Sequence, residues 1–190
     1  MKKILFVCPY PINMAAGQRL KFEPHFKELE KLGYEITIHS FMNKKLWDIV
    51  SNEGYILKKI FWTLVGLARR IALIPSLKSY DCTYIFMNVF PFGPPLLERI
   101  YIKLSKKVIF DIEDNILSPE VGSINKIASI LKSTNKALYL INNADRIISS
   151  SPDLERRCNH ISRKRNALFI PPTLEEKRFI PRSSSRENKD

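Results

Sequence analysis

A chain of 190 residues, 45% hydrophobic and 26% charged, is long enough for one domain with a substantial core. Its 31 Lys+Arg against 19 Asp+Glu give a formal charge of +12, which implies attraction to nucleic acid, a membrane surface or a phosphorylated substrate. Cys8, Cys82 and Cys158 are too few and too scattered for a disulfide framework or a metal knuckle, and no uncharged apolar run approaches the roughly 20 residues that cross a bilayer.

In chain order, residues 3–8 read as a short buried strand closed by Pro9 and Pro11, too short for the apolar core of a signal peptide. After Gly17 the spacing of Leu20, Phe22, Phe26, Leu29 and Leu32 predicts one helix ending at Gly33, followed by a strand over 35–41. Further strands are predicted over 82–88, 107–112, 146–150 and 167–170. Helices are predicted over 93–104, 124–141 and 152–160. Strands alternating with helices define an α/β class: a Rossmann-like open, mainly parallel sheet with helices on both faces. The domain is expected to run over 1–181, with the apolar-free stretch 182–190 as a polar linker or disordered tail. The cysteine pattern fits a reducing cytoplasm.

Familiar catalytic signatures are missing. Six widely spaced glycines give neither a dinucleotide turn nor a P-loop, there is no nucleophile elbow, and His25, His39 and His160 have no metal-ligand spacing.

In an open α/β sheet ligands sit outside the carboxyl ends of the strands, where three loops stand out. In the first, Ala15, Ala16 and Gly17 let backbone approach a ligand just before a helix start, while Gln18 and Arg19 add donors; the same segment reads equally as a loop that only needs small residues. The second, 89–95, places Phe90 and Phe92 among prolines. It reads first as a helix start and second as the lining of an acceptor cleft. The third brings Asp111, Glu113 and Asp114 together beside Asn115, a crowding that raises a carboxyl pKa and equips one group as a base or hydroxyl acceptor; its plainer reading is a solvated, turn-capping loop.

Residues 57–78 carry no acid. At about 100° per residue, Leu57, Ile60, Leu64, Leu67, Ile71 and Ile74 share one face, while Lys58, Lys59, Arg69 and Arg70 share another with Trp62 among them. That pattern suits an anionic membrane interface, and it also suits a helix packed on its own core.

Taken in order, these pieces resemble the N-terminal domain of group 1 (family 4) glycosyltransferases of the GT-B fold. The resemblance is carried by the strand at 4–8, the loop at 9–17 and the run Leu29-Glu30-Lys31-Leu32-Gly33-Tyr34-Glu35-Ile36. It continues through the Phe90–Glu98 block, the acidic run after Val108, Ala144-Asp145-Arg146-Ile147-Ile148-Ser149-Ser150-Ser151, and Ile170-Pro171-Pro172 with Phe179 and Pro181. The chain departs from the family pattern in having Ala16-Gly17 for a Gly pair and Pro172-Thr173 for Asn-Gly. It also has Glu113-Asp114 where many relatives carry a His, so no role for that His transfers.

The resemblance implies a retaining transferase that moves a sugar from a nucleotide-sugar substrate, with no required metal or cofactor, to a glycan or lipid-linked acceptor in surface-polysaccharide synthesis. The leading reading gives Ala16, Gly17, Gln18 and Arg19 a donor-phosphate or acceptor role, and makes Asp111, Glu113 and Asp114 the catalytic carboxylates that hold the acceptor hydroxyl. A C-terminal nucleotide-sugar-binding domain with an E-x7-E pair would be the partner; no two glutamates here stand eight apart. The expected location is cytoplasmic, peripheral on the inner membrane face. The competing reading is a non-catalytic membrane-docking or scaffold subunit. Nucleic-acid binding rests on charge alone, with no RRM, KH or zinc motif beside it.

Overall fold

The computed structural model describes residues 1–113 and 134–173. The expectations for Asp114, Asn115, the first part of the 124–141 helix, and everything after Thr173 fall outside the described residues.

Six strands form one all-parallel sheet in the order β2-β1-β3-β4-β5-β6. They are β1 Lys2–Cys8, β2 Tyr34–Ser40, β3 Cys82–Phe86, β4 Val108–Ile112, β5 Arg146–Ser149 and β6 Ala167–Phe169. This is the Rossmann-like open sheet read from the alternation of elements. Parallel strands need long, right-handed crossovers. Only the β1–β2 connection runs leftward in the strand order, so it covers one face and the later connections cover the other.

Strand parity sorts the side chains accordingly. Leu5, Val7, Ile85, Phe110, Ile112 and Ile147 point into the larger cluster. Phe6, Cys8, Tyr84 and Phe86 point into a smaller one that is mostly aromatic, closed by Phe22 and Phe26. Phe6 lies 5.4 Å from Phe22 and 4.9 Å from Phe26 between ring centroids, in stacked and edge-on geometry.

The β1–β2 connection differs from the single helix expected. It consists of α1 Ala16–Lys21, a 3-10 turn at Glu23–His25 and α2 Phe26–Lys31. Pro24 is the reason, since it has no N–H to continue the ladder and crowds the preceding turn. Glu23 exploits the break: its carboxylate accepts from the Asn13 amide and from Gln18 Nε2. Gly33, at φ +84, ends the unit as predicted.

Between β2 and β3 stands a helix the sequence reading omitted, α3 Lys44–Val50, capped by the Asn43 side chain accepting from Leu46 N at 2.8 Å. Then follows α4 Ile56–Ala72. Beyond the sheet centre come α5 Leu96–Leu104, α6 Thr134–Asn143 and α7 Pro152–Ile161, the last capped by Ser151.

Helix α4 packs on the sheet in a way the periodicity did not reveal. Gly66 faces inward so closely that a Cβ there would stand 2.9 Å from the Phe41 carbonyl oxygen. Arg70, expected on an outward basic face with Lys58, Lys59 and Arg69, is instead fully buried. Its guanidinium donates to the carbonyls of Cys8 (2.7 Å), His39 (2.7 Å) and Val89 (3.0 Å), and meets His39 Nδ1 at 2.7 Å. Tyr101 in turn donates to the Arg70 carbonyl at 2.8 Å. Burial pulls the Arg70 pKa down to about 10, which leaves it charged at neutral pH. Carbonyl dipoles take the place of water around that charge.

Arg70→Met removes a buried charge-assisted donor from the carbonyls of Cys8, His39 and Val89, of which Cys8 keeps the Phe41 amide, and is expected to lower the unfolding free energy by about 3 kcal/mol. Arg70→Lys should recover only part of this, because an ammonium lacks the planar fork. Urea denaturation of the three proteins measures both. A second expectation concerns His39, whose pKa is depressed to about 4, first by burial and then by Arg70 and Arg69. As pH falls below about 6.5 the unfolded chain takes up the proton first, so this contribution to stability is lost between about pH 6.5 and 4. In His39→Gln the acid limb of the stability–pH curve should flatten.

Candidate functional site

The chain leaves β1 for β2 on one side and reaches β3 on the other, so the loops after β1 and β3 diverge at the carboxyl edge of the sheet. In open α/β sheets this switch point is where ligands enter. Around it stand Ala16, Gly17 and Arg19 from the start of α1, Glu113 after β4, and Ser150 after β5.

Gly17 and Glu113 define the closest approach. The Glu113 carboxylate lies against the α1 backbone where a Cβ on Gly17 would stand, so a larger residue there would displace it. The Ser150 hydroxyl donates to the Glu113 carbonyl at 2.5 Å and fixes the backbone there. Ala16 and Arg19 are exposed beside them. Thr173 closes the far side of α1, its amide donating to the Leu20 carbonyl at 2.6 Å.

Two expected site residues are placed elsewhere. Gln18 is fully buried, and its amide is used up within the first loop. Its Oε1 accepts from the Tyr10 amide, while Nε2 donates to the Tyr10 carbonyl and to Glu23. It clasps the loop and offers no donor to a ligand. Asp111 is likewise buried, because parity turns it into the aromatic face. There it pairs with Lys21 from α1 and accepts from the Tyr84 hydroxyl. Burial pushes its carboxyl up, with Lys21 and Tyr84 pulling it back, and the same burial beside Asp111 raises the Tyr84 phenol. Asp111 is thus shut away from any substrate at the edge. It ties α1, and hence Gly17, to the sheet.

The Phe90–Pro95 loop is held from within. Glu98 accepts from the amides of Val89 and Phe90, each at 3.2 Å. Lys136 on α6 donates to the carbonyls of Phe90 and Phe92, the latter at 2.6 Å, and stands 3.7 Å from Glu98. Phe90 packs edge-on between Phe41 and Phe92, and Phe92 remains 44% exposed. The result is a fixed aromatic rim beside the switch point.

Sequence reasoning missed Lys21, Tyr84, Glu98 and Lys136. A signal existed for Tyr84, which shares the parity of Phe86; Lys21 stands among Gln18, Arg19 and Glu23 and carried none. Thiol chemistry has no support, since burial raises Cys8, Cys82 and Cys158 to about 11. Among the described residues no cluster of His, Cys, Asp and Glu could hold a metal ion. A recess of about 370 Å³ lined by Leu138, Tyr139, Asn142, Asn143 and Arg163 lies at the opposite, amino-terminal edge and shares nothing with this site.

Fold and site together define an α/β open-sheet domain with Gly17, Arg19 and Glu113 at its carboxyl edge and a buried Lys–Asp–Tyr group beneath α1. In comparisons with known proteins, no family model and no curated protein matches the chain.

The buried pair makes a prediction. Lys21→Met alone should cost about 3–5 kcal/mol, because it leaves Asp111 unpaired. Adding Asp111→Asn should restore part of that stability, since a neutral amide keeps a partner in Tyr84 without needing a countercharge. A thermodynamic double-mutant cycle reads the coupling.

Proposed function

We propose that this chain is the acceptor-side half of a GT-B retaining glycosyltransferase, working with a second α/β domain that binds the nucleotide sugar. The observation that carries this reading is the Gly17–Glu113 approach at the β1/β3 switch point. It offers a backbone-lined face, an exposed cation at Arg19 and a carboxylate able to accept an acceptor hydroxyl. The five motifs that resemble the N-terminal domains of group 1 glycosyltransferases support it. Glu113 is the residue we place against the acceptor hydroxyl. Arg19 and the Gly17 backbone face the phosphates of either the donor or a lipid-linked acceptor. Phe90 and Phe92 supply the apolar rim on which a sugar ring or isoprenoid stem rests.

A donor-selecting glutamate pair belongs to the second domain, so the chain alone should bind acceptors without turning over nucleotide sugars. Binding to an array of glycans and polyprenyl-phosphate sugars tests this. Glu113→Ala should weaken the strongest interaction by about tenfold with an unchanged melting temperature. Robust sugar transfer by the isolated chain would overturn the half-enzyme reading, and indifference to Glu113→Ala would overturn the assigned site.

A further inference from the structure

Helix α4 presents its apolar stripe outward. Leu57 is 82% exposed, Ile56 68%, Phe61 and Leu64 57%, Ile60 52% and Ile71 51%. At about 100° per residue, Ile60, Phe61, Leu64, Ala68 and Ile71 together with Leu57 cover roughly 100° of the circumference, and half-buried Val65 and Leu67 widen the arc to about 160°. The helix cannot roll to hide this stripe, because Gly66 against Phe41 and Arg70 among the strand-end carbonyls fix its inner face. From Leu57 to Ile71 the stripe runs about 21 Å, and no described helix is long and apolar enough to cross a membrane.

Charge identifies the occupant. No acidic residue stands between Gly54 and Tyr80, and exposed Lys58 and Arg69 line one flank of the stripe. Trp62 lies beneath that flank with the Lys45 ammonium 5.0 Å from its ring centre. A second copy of the same helix would bring no carboxylate of its own to face these cations. An anionic lipid surface meets both demands at once, with acyl chains for the stripe and head groups for the flank.

We propose that the outer face of α4 is a membrane-docking face that lies in the interface plane of an anionic bilayer. This stands apart from the transferase reading and does not need it. Docking there places the α4 axis parallel to the membrane, with Lys58 and Arg69 at the head-group level and Leu57, Phe61 and Leu64 below it.

The test is flotation of the purified chain with phosphatidylcholine vesicles containing either no anionic lipid or about 30% phosphatidylglycerol. Wild-type protein should float with the anionic vesicles and at least about tenfold less with the neutral ones. Leu57→Ser with Leu64→Ser should abolish most flotation, and Lys58→Glu with Arg69→Glu should do the same. All four positions are exposed, so circular dichroism and melting temperature should not move. Absence of flotation overturns the proposal, as does binding that survives the two serine substitutions. A wild-type dimer that the serine substitutions dissociate, with no vesicle binding, overturns it in favour of a second copy as the occupant.

Discussion

A single buried guanidinium organises one end of this molecule. Backbone carbonyls from the ends of β1 and β2 and from the loop after β3 converge at one place, and that of Cys8 also accepts from the Phe41 amide. Arg70 reaches Cys8 at the end of β1, His39 near the end of β2 and Val89 in the loop after β3. Its multiple donors in a plane suit a set of convergent acceptors as no other side chain does. Because the same residue belongs to α4, that helix is locked to the sheet, the diverging loops of the switch point are joined, and the outward stripe of α4 is fixed in direction.

The buried Lys21–Asp111–Tyr84 group plays a comparable role on the other face, joining α1 to β4 and β3. Between them these two polar centres brace the carboxyl edge of the sheet on both faces. Neither is open to solvent, and both explain why charged residues there are retained inside an otherwise apolar interior. Glu113 and Arg19 lie at the edge itself and are where ligand chemistry is assigned.

How much of this was legible in the sequence depended on the kind of signal. The strands were readable because buried parallel strands are continuous apolar runs, as in β1 and β4, and every strand was placed within about two residues of its observed ends. The interruption of α1–α2 was readable in principle from Pro24 but was overridden by the regular spacing of Leu29 and Phe26. Helix α3 was missed because it is short and carries only Leu46 as a buried residue. For the site, Asp111, Gln18 and Arg70 were expected at a ligand or a membrane, and the structure buries all three. Polar residues facing the core look identical in sequence to polar residues facing a ligand. Asp111 lies inside β4 while Glu113 lies just past its end, and only the inward face of α4 separates Arg70 from Arg69.

The clamp on the aromatic rim bears on the order in which the chain is built. Glu98 is fully buried, and one of its oxygens has no hydrogen-bond partner among the described atoms. The cation that offsets its charge, Lys136, stands 38 positions later on α6 and also secures Phe90 and Phe92. During synthesis from the amino terminus, β1 to β3 and α5 emerge while Glu98 still lacks Lys136 and has only the buried Arg70 as a cation coupled to it. Closing that part of the core early would strand a carboxylate in an apolar setting, at a cost of several kcal/mol. Completing the rim requires the chain through Lys136, which supplies the donor to Phe90 and Phe92 and the ion pair to Glu98.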